Sequence, residues 1–204
     1  MSTTELQEFL RGNVVPEIRR QLGHDGDVRG VAGPSADSPA VCSLELAFYP
    51  TATVGSRIEI PFQITPIPCF DRPTVRTVAG TVFLTTSDAD MIESKVVAII
   101  CRRFVQARDI LDLFLFQSTL KGDSDTRVLE KFRGLSLSAK DVRDRLGHLD
   151  DMSSVHIREV DQIIASQVEP SVGSNLLTAG GAPMIWEAVM DVILNRLRLQ
   201  DYHP

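Results

Sequence analysis

Two carboxylates and a guanidinium stand close together in an otherwise apolar segment. Arg108, Asp109 and Asp112 belong to a stretch in which only Asp112 is polar from residue 110 to residue 116. Residues three and four apart share one face of a helix, so a helical conformation allows these side chains to lie together. A helix that is apolar nearly all round is mostly buried, and buried charges must be paired or take part in chemistry. This group is therefore the first candidate for a functional site.

An isolated lysine, Lys95, precedes this group in an apolar segment that begins after Ser87. Ser87, with Asp90 three residues later, predicts the N-cap of a helix. A single straight helix through both groups would place Lys95 and Asp112 about 25 Å apart, at a rise of about 1.5 Å per residue. A shared site therefore requires a break between residues 102 and 107, although that interval contains neither glycine nor proline.

Ordinary structural roles also account for these residues. An intrahelical ion pair at a helix end explains Arg108, Asp109 and Asp112. A lysine with a buried stem and a surface amino group explains Lys95. A glutamate in an alternating strand, such as Glu59, commonly marks the solvent-facing side of a sheet. The functional and the structural interpretation are both open from these residues alone.

The surrounding elements predict an α+β fold. The N-terminal helical stripe is predicted to break at Gly12 and Pro16, and residues 23–39 are predicted to form a loop. Alternating apolar residues predict two strands that form a hairpin, 41–49 and 55–62, and after a proline-rich connection a third strand, 81–85. Apolar residues three or four apart then predict helices at 127–132, 138–149, 155–168 and 183–199. The expected architecture is a small mixed sheet of about three strands with flanking helices, followed by a helical C-terminal half. The domain boundary is placed between 1–121 and 122–204.

Composition restricts the class of protein. The chain has 204 residues and a formal net charge of -6, which argues against coating nucleic acid through charge alone. Its 3 cysteines include no C-x-x-C pair, so neither a disulfide framework nor a zinc site is indicated. No apolar run approaches the roughly 18 to 20 residues that span a bilayer, and the N-terminus lacks a secretion signal. We therefore expect a cytoplasmic protein with no membrane partner.

The order of these motifs resembles that of the AbiEii-type nucleotidyltransferase toxins of abortive-infection and type IV toxin-antitoxin systems. The resemblance rests on Lys95 in an apolar helix and on the sequence Arg108-Asp109-x-x-Asp112 after a short basic interval. It also rests on Glu59, in a strand that precedes the lysine helix. About residues 5–200 are covered. The resemblance implies metal-assisted nucleotidyl transfer from a nucleoside triphosphate, in some members to transfer RNA.

The resemblance also implies roles for individual residues. Lys95 would contact the phosphates, and Arg108 would belong to the nucleotide-binding residues. Asp109 or Asp112 would complete the catalytic group with Lys95. Glu59 would be the carboxylate beside Mg²⁺, the cofactor that the family's chemistry requires.

The sequence departs from the family pattern at its front. Family members open with a strand and a Gly-Ser turn, followed by a D-x-D pair that supplies the main metal ligands. Gly55-Ser56 is not followed by such a pair at the required distance. We therefore expect the rear part of a nucleotidyltransferase-like protein, incomplete or inactive alone, whose nucleotidyl transfer needs a complementing chain. An antitoxin, an RNA acceptor and a homodimer formed through an open sheet edge are the further partners considered. The alternative is a non-catalytic protein-interaction module.

Overall fold

The computed structural model describes residues 3–30, 42–50, 57–65, 67–78, 80–102, 105–149 and 154–199. Their contacts divide the chain into two units, Met1–Pro66 and Ile67–Pro204. Both units combine helices with antiparallel strands, so the predicted α+β class is confirmed. No single helix in the described ranges is both long enough and apolar enough to cross a membrane. The pair Pro170–Thr178 and Gly181–Arg196 reaches that length and composition only together, across a bend of 83°.

The first unit begins with a helical segment that is continuous across the predicted break. It consists of α1 (Thr3–Phe9), a π-helical turn (Leu10–Val14) and α2 (Val15–Leu22). The prediction that Gly12 and Pro16 interrupt the helix was wrong. Gly12 lies inside the π-helical turn, and Pro16 lies in the first turn of α2, where a missing N–H is tolerated best.

In the described part of the first unit, three antiparallel strands form a sheet in the order β1-β2-β3: β1 (Asp25–Gly30), β2 (Cys42–Tyr49) and β3 (Ile58–Ile64). The predicted hairpin of the second and third of these strands is confirmed, and its tip at 51–56 lies outside the described residues. Leu44, Leu46 and Phe48 alternate along β2 and are buried with apolar residues of the helical segment, including Leu10. This alternation is what a sheet with one covered face requires.

β1 lies inside the stretch predicted as a loop, so that prediction was wrong for residues 25–30. Its sequence contains a single apolar side chain larger than glycine, Val28, which stands opposite Leu46 and is fully buried. Gly26 stands opposite Phe48, and a Cβ added to it would lie 2.5 Å from the Phe48 ring. Pairing with β2 therefore creates this strand, and only a glycine fits beside the aromatic ring.

The strand predicted at 81–85 exists but pairs differently from the expectation. In the second unit β5 (Thr81–Thr85) forms a two-stranded antiparallel sheet with β4 (Thr74–Val78), which arises from the proline-rich connection. Every strand pair in the described residues is antiparallel, so the sheets are not mixed. Two antiparallel strands can be joined by a very short connection, and β4 and β5 are close enough along the chain to pair with each other.

Seven helices are described in the second unit: α3 (Asp88–Cys101), α4 (Ala107–Phe116), α5 (Ser124–Gly134), α6 (Ala139–Leu149), α7 (Ser154–Gln167), α8 (Pro170–Thr178) and α9 (Gly181–Asp191). A π-helical turn, Val192–Arg196, extends α9. The predicted N-cap is confirmed, because the Ser87 hydroxyl accepts a hydrogen bond of 3.0 Å from the Asp90 N–H. All four predicted C-terminal helices are present.

α3 and α4 share one hydrophobic core with the helices that follow residue 121. Ile99 of α3 and Leu113 of α4 are buried in the same cluster as Phe132, Ile164 and Ile185. The boundary predicted between residues 121 and 122 therefore does not coincide with the division of contacts, which falls after Pro66. The reason is that α3 and α4 are too apolar to be stable without the C-terminal helices.

α8 was not predicted, although its start carries a recognisable signal. Pro170 occupies the first turn, and the Glu169 carboxylate accepts hydrogen bonds of 3.1 Å from the Ser171 and Val172 N–H groups. Proline is common at the first position of a helix, where its missing N–H leaves no hydrogen bond unmade. Gly173 is buried in α8, and a Cβ added to it would lie 3.0 Å from the Ile164 carbonyl oxygen of α7.

We predict that Gly173→Ala destabilises the protein by about 1 kcal/mol, because the added methyl group pushes α8 away from the α7 backbone. Gly147→Ala in α6 is the matched control, since nothing lies within 4 Å of its added Cβ. That substitution should stabilise by roughly 0.5–1 kcal/mol through helix propensity. Urea unfolding of both variants measures the difference, and two stabilising substitutions would contradict the close approach of α8 to α7.

Candidate functional site

α3 and α4 are two separate helices, and the described residues that border them are extended. Arg102, which follows α3, has φ -74° and ψ 140°, and Gln106, which precedes α4, has φ -93° and ψ 129°. The predicted break between residues 102 and 107 is therefore confirmed. Arg145 of α6 donates a hydrogen bond to the Cys101 carbonyl, which satisfies a backbone acceptor that the end of α3 leaves open.

Because of this break, the lysine and the two carboxylates meet. Lys95 Nζ lies 2.8 Å from Asp109 Oδ1 and 2.8 Å from Asp112 Oδ2. The Asp109 side chain is 2% exposed, whereas those of Lys95 and Asp112 are 25% and 29% exposed. The structure thus brings together three of the predicted residues and leaves one edge of the group open to solvent.

Arg102 joins this group, whereas Arg108 does not. The Arg102 guanidinium forms an ion pair with the second oxygen of Asp109, Oδ2. Arg108 is exposed, and its described contact is a distant one of 3.4 Å from Nη2 to Gln167 Oε1. Arg108 and Asp109 are adjacent on α4 and so point in directions about 100° apart, which explains why the buried carboxylate cannot share its environment with Arg108.

The two carboxylates keep Lys95 charged. Partial burial by itself would lower the pKa of Lys95, but the hydrogen bonds to Asp109 and Asp112 outweigh it and raise that pKa above its ordinary value. Lys95 is therefore an ammonium ion at neutral pH. Lys95 and Arg102 together balance the formal charges of the two aspartates, so this group of four residues has no net charge.

Glu59 belongs to β3 in the first unit. Its side chain is about half exposed, and Arg57 Nε lies 2.8 Å from Glu59 Oε1. Its role beside a metal ion stays a prediction. No three His, Cys, Asp or Glu side chains within the described ranges come together to hold a metal ion. Lys95 already occupies one oxygen of each aspartate, so the described residues by themselves do not form a Mg²⁺ site.

A second charged group in the same unit is fully enclosed. Asp90 and Glu93 of α3 and Lys131 of α5 are each 0% exposed. Lys131 Nζ lies 2.7 Å from Asp90 Oδ1 and donates a hydrogen bond of 2.7 Å to the Pro68 carbonyl. The same ammonium is 3.6 Å from Glu93 Oε2. A buried lysine is tolerated here because it faces two carboxylates and a carbonyl.

Arg127 connects this second group to the surface. Its guanidinium nitrogens lie 3.1 Å from both oxygens of Asp71, which is the bidentate geometry. Arg127 Nε is 2.8 Å from Glu93 Oε1, yet its N–H is not aligned for a hydrogen bond, and that oxygen accepts one from the Ser124 hydroxyl instead. The contact between Arg127 and Glu93 is therefore mainly electrostatic.

Two carboxylates of this network, those of Asp71 and Asp90, have lowered pKa values. The hydrogen bond from Arg127, followed by those from Lys121 and Ser87, lowers the pKa of Asp71. Burial would raise the pKa of Asp90, but the hydrogen bond from Lys131 and those from backbone N–H groups lower it below its usual range. Both groups are therefore ionised in the folded protein at neutral pH.

The sequence contains a signal for this second group. Arg127 and Lys131 alternate with buried Val128 and Phe132 on α5, so the two cations occupy positions on the core-facing side of that helix. Charges at core positions of α3 and α5 together indicate a buried ion network. Because all of its members are enclosed or paired, this network holds residues 68–71 against the helices rather than offering a binding surface.

Comparison with known proteins leaves the family open. No family model matches the sequence, and no curated protein matches it. A crystal structure of a candidate nucleotidyltransferase from H. pylori aligns at 13% sequence identity and a TM-score of 0.45. The alignment covers 94% of this chain and 76% of that chain. At that TM-score the likeness does not indicate a function for this chain.

We predict that Lys131→Met destabilises the protein by about 3–5 kcal/mol, because it leaves Asp90 buried without its nearest cation and removes a second cation from Glu93. Lys121→Met is the matched control, since Lys121 is about half exposed and binds Asp71 at the surface. Its loss should cost about 1 kcal/mol or less. Chemical unfolding of the two variants measures both values, and equal losses would show that the enclosed network contributes no more than a surface pair.

We also predict that acid destabilises the protein through Asp90. Its pKa is lower in the folded chain than the unfolded value of about 3.9, so its stabilisation is fully present above about pH 4. That stabilisation disappears as the pH falls from there through the folded-state pKa. Asp90→Asn should be less stable at neutral pH and should lose less stability between about pH 5 and pH 3. Unfolding free energies measured across this range would refute the assignment if both proteins show the same slope.

Proposed function

We propose that Lys95, Asp109 and Asp112 form the phosphate-contacting part of an AbiEii-type nucleotidyltransferase site. The observation that carries the proposal is the break between α3 and α4, which brings both aspartates of the R-D-x-x-D sequence to the lysine. In this proposal Lys95 contacts the triphosphate of a nucleoside triphosphate. Asp109 and Asp112 orient the ammonium and keep it charged.

The geometry leaves Lys95 able to bind a further anion. An ammonium has three N–H donors, and the two aspartates occupy two of them. A quarter of the side chain is exposed, so a phosphate oxygen can reach the third donor from solvent. Because charge-assisted hydrogen bonds are about twice as strong as neutral ones, one such contact contributes usefully to binding.

Metal-dependent transfer needs more carboxylates than this group supplies. Metal ions in such reactions neutralise the phosphates and activate the attacking oxygen, and Mg²⁺ requires several oxygen ligands. We propose a complementing segment or chain as the source of these ligands, and metal binding by Glu59 of the first unit stays a separate prediction. The chain alone is then expected to bind a nucleotide without turning it over, and RNA is the proposed acceptor of the complemented enzyme.

A non-catalytic interaction module is the second candidate. The observation that favours it is the absence of net charge in the group formed by Lys95, Arg102, Asp109 and Asp112. In this interpretation the ion pairs only hold α4 against α3, and the helical unit binds a protein partner. No nucleotide then interacts with Lys95.

We predict that nucleoside triphosphates raise the melting temperature of the full chain. A ligand at 100 times its Kd stabilises the folded state by about 2.7 kcal/mol, or roughly 5–10 °C for a chain of this size. Lys95→Met should abolish this increment, and Lys95→Arg should retain part of it. The measurement is a thermal shift with each nucleotide, with and without Mg²⁺.

Lys140→Met is the control for this experiment, because Lys140 is an exposed lysine of α6. That variant should keep the whole nucleotide-dependent increment. The increment is compared within each variant, so any loss of intrinsic stability in Lys95→Met does not affect the comparison. An increment that survives in Lys95→Met, or no increment with any nucleotide, favours the interaction module.

A further inference from the structure

We propose that Arg102 is a second phosphate-binding residue of this site and that Arg102 and Lys95 together clamp a polyphosphate chain. This inference rests on the proposed function and extends it to a residue outside the R-D-x-x-D sequence. The substrate class that it assigns is a di- or triphosphate rather than a monophosphate, because two cations side by side suit neighbouring phosphate groups.

The shared carboxylate sets the spacing of the two cations. Lys95 binds Oδ1 of Asp109 and Arg102 binds Oδ2, so each stands at hydrogen-bond distance from its own oxygen of one carboxylate. Their nitrogens therefore lie within about 8 Å of each other. Asp109 is almost completely buried, so both cations are held beside the same carboxylate without a ligand.

Counting contacts with the described residues, Arg102 has more unused donors than Lys95. A guanidinium carries five N–H groups, and the described ion pair with Asp109 is made through Nη1. The Arg102 side chain is 38% exposed, which is more than the exposure of Lys95. A planar fork of donors matches two phosphate oxygens at once, whereas an ammonium acts as a single point of charge.

The break between the helices gives Arg102 its place. The residue follows the last turn of α3 in an extended conformation, so its side chain is not confined to a helix face. Arg108, the arginine of the R-D-x-x-D sequence, lies in the first turn of α4 and contacts Gln167. The geometry therefore assigns phosphate binding to the arginine of the break and not to the arginine of the sequence motif.

The test is calorimetric titration of the full chain with inorganic tripolyphosphate in the absence of metal ions, so that only protein cations can bind it. Arg102→Gln should weaken binding by about 10-fold or more, the loss of one charge-assisted hydrogen bond. Arg102→Lys should lose less, because it keeps the charge but not the fork. A nucleoside monophosphate should bind weakly to all variants and change little between them.

Two further arginine variants complete the design. Arg76→Gln removes a surface arginine that is paired with Asp88, so it controls for the loss of an ion pair and should bind within about twofold of the unmodified chain. Arg108→Gln tests the competing assignment. Loss of binding in Arg108→Gln but not in Arg102→Gln would overturn the inference.

The outcomes also separate this inference from the proposed function. Lys95→Met is titrated alongside. If Lys95→Met loses binding while Arg102→Gln retains it, Arg102 is not part of the site and the proposed function stands. If the unmodified chain binds neither tripolyphosphate nor a nucleoside triphosphate, both the inference and the proposed function fail.

The design also covers a variant that does not fold. If Arg102→Gln is unfolded by circular dichroism, the decision rests on Arg102→Lys, and unchanged affinity in that variant overturns the clamp.

Discussion

The pairing of the buried Asp109 carboxylate with Lys95 and Arg102 is the interaction on which the arrangement of α3 and α4 depends. Asp109 is almost completely buried, and a buried charge without a partner is strongly unfavourable. One cation comes from α3 and the other from the break that follows it, so neutralising Asp109 requires that α4 pack against α3. Breaking a buried pair costs about 3–5 kcal/mol, far more than a surface pair contributes. When α4 packs against α3 in this way, its residues Ile110 and Leu113 are also buried in the core.

α3 carries two charged groups with different consequences. Asp90 and Glu93 face α5 and are enclosed together with Lys131, so every charge there is used within the protein. Lys95 faces α4, and its group remains partly open to solvent. Solvent access, rather than the number of charges, is what distinguishes a group that can bind a ligand from one that only supports the fold. The candidate site is therefore placed at Lys95.

Local patterns in the sequence predicted much of the second unit. The Ser87 cap and the helical periodicity after residue 121 depend on neighbours within four residues, and such signals can be read without a structure. Lys95, Asp109 and Asp112 stood out because charges are rare in so apolar a segment. β1 was missed because its one buried side chain, Val28, has no alternating pattern around it, and only pairing with β2 makes it a strand.

The sequence by itself determined that this is an α+β chain with charged residues set into apolar helices. It also required a break between Lys95 and Asp112 if they were to meet, yet it contained no glycine or proline to cause one. Only the tertiary structure decided that the break exists, because burial of α4 and neutralisation of Asp109 act between residues distant along the chain. For the same reason only the tertiary structure decided that Arg102, and not Arg108, pairs with Asp109. The direction of a side chain on a helix depends on where that helix begins.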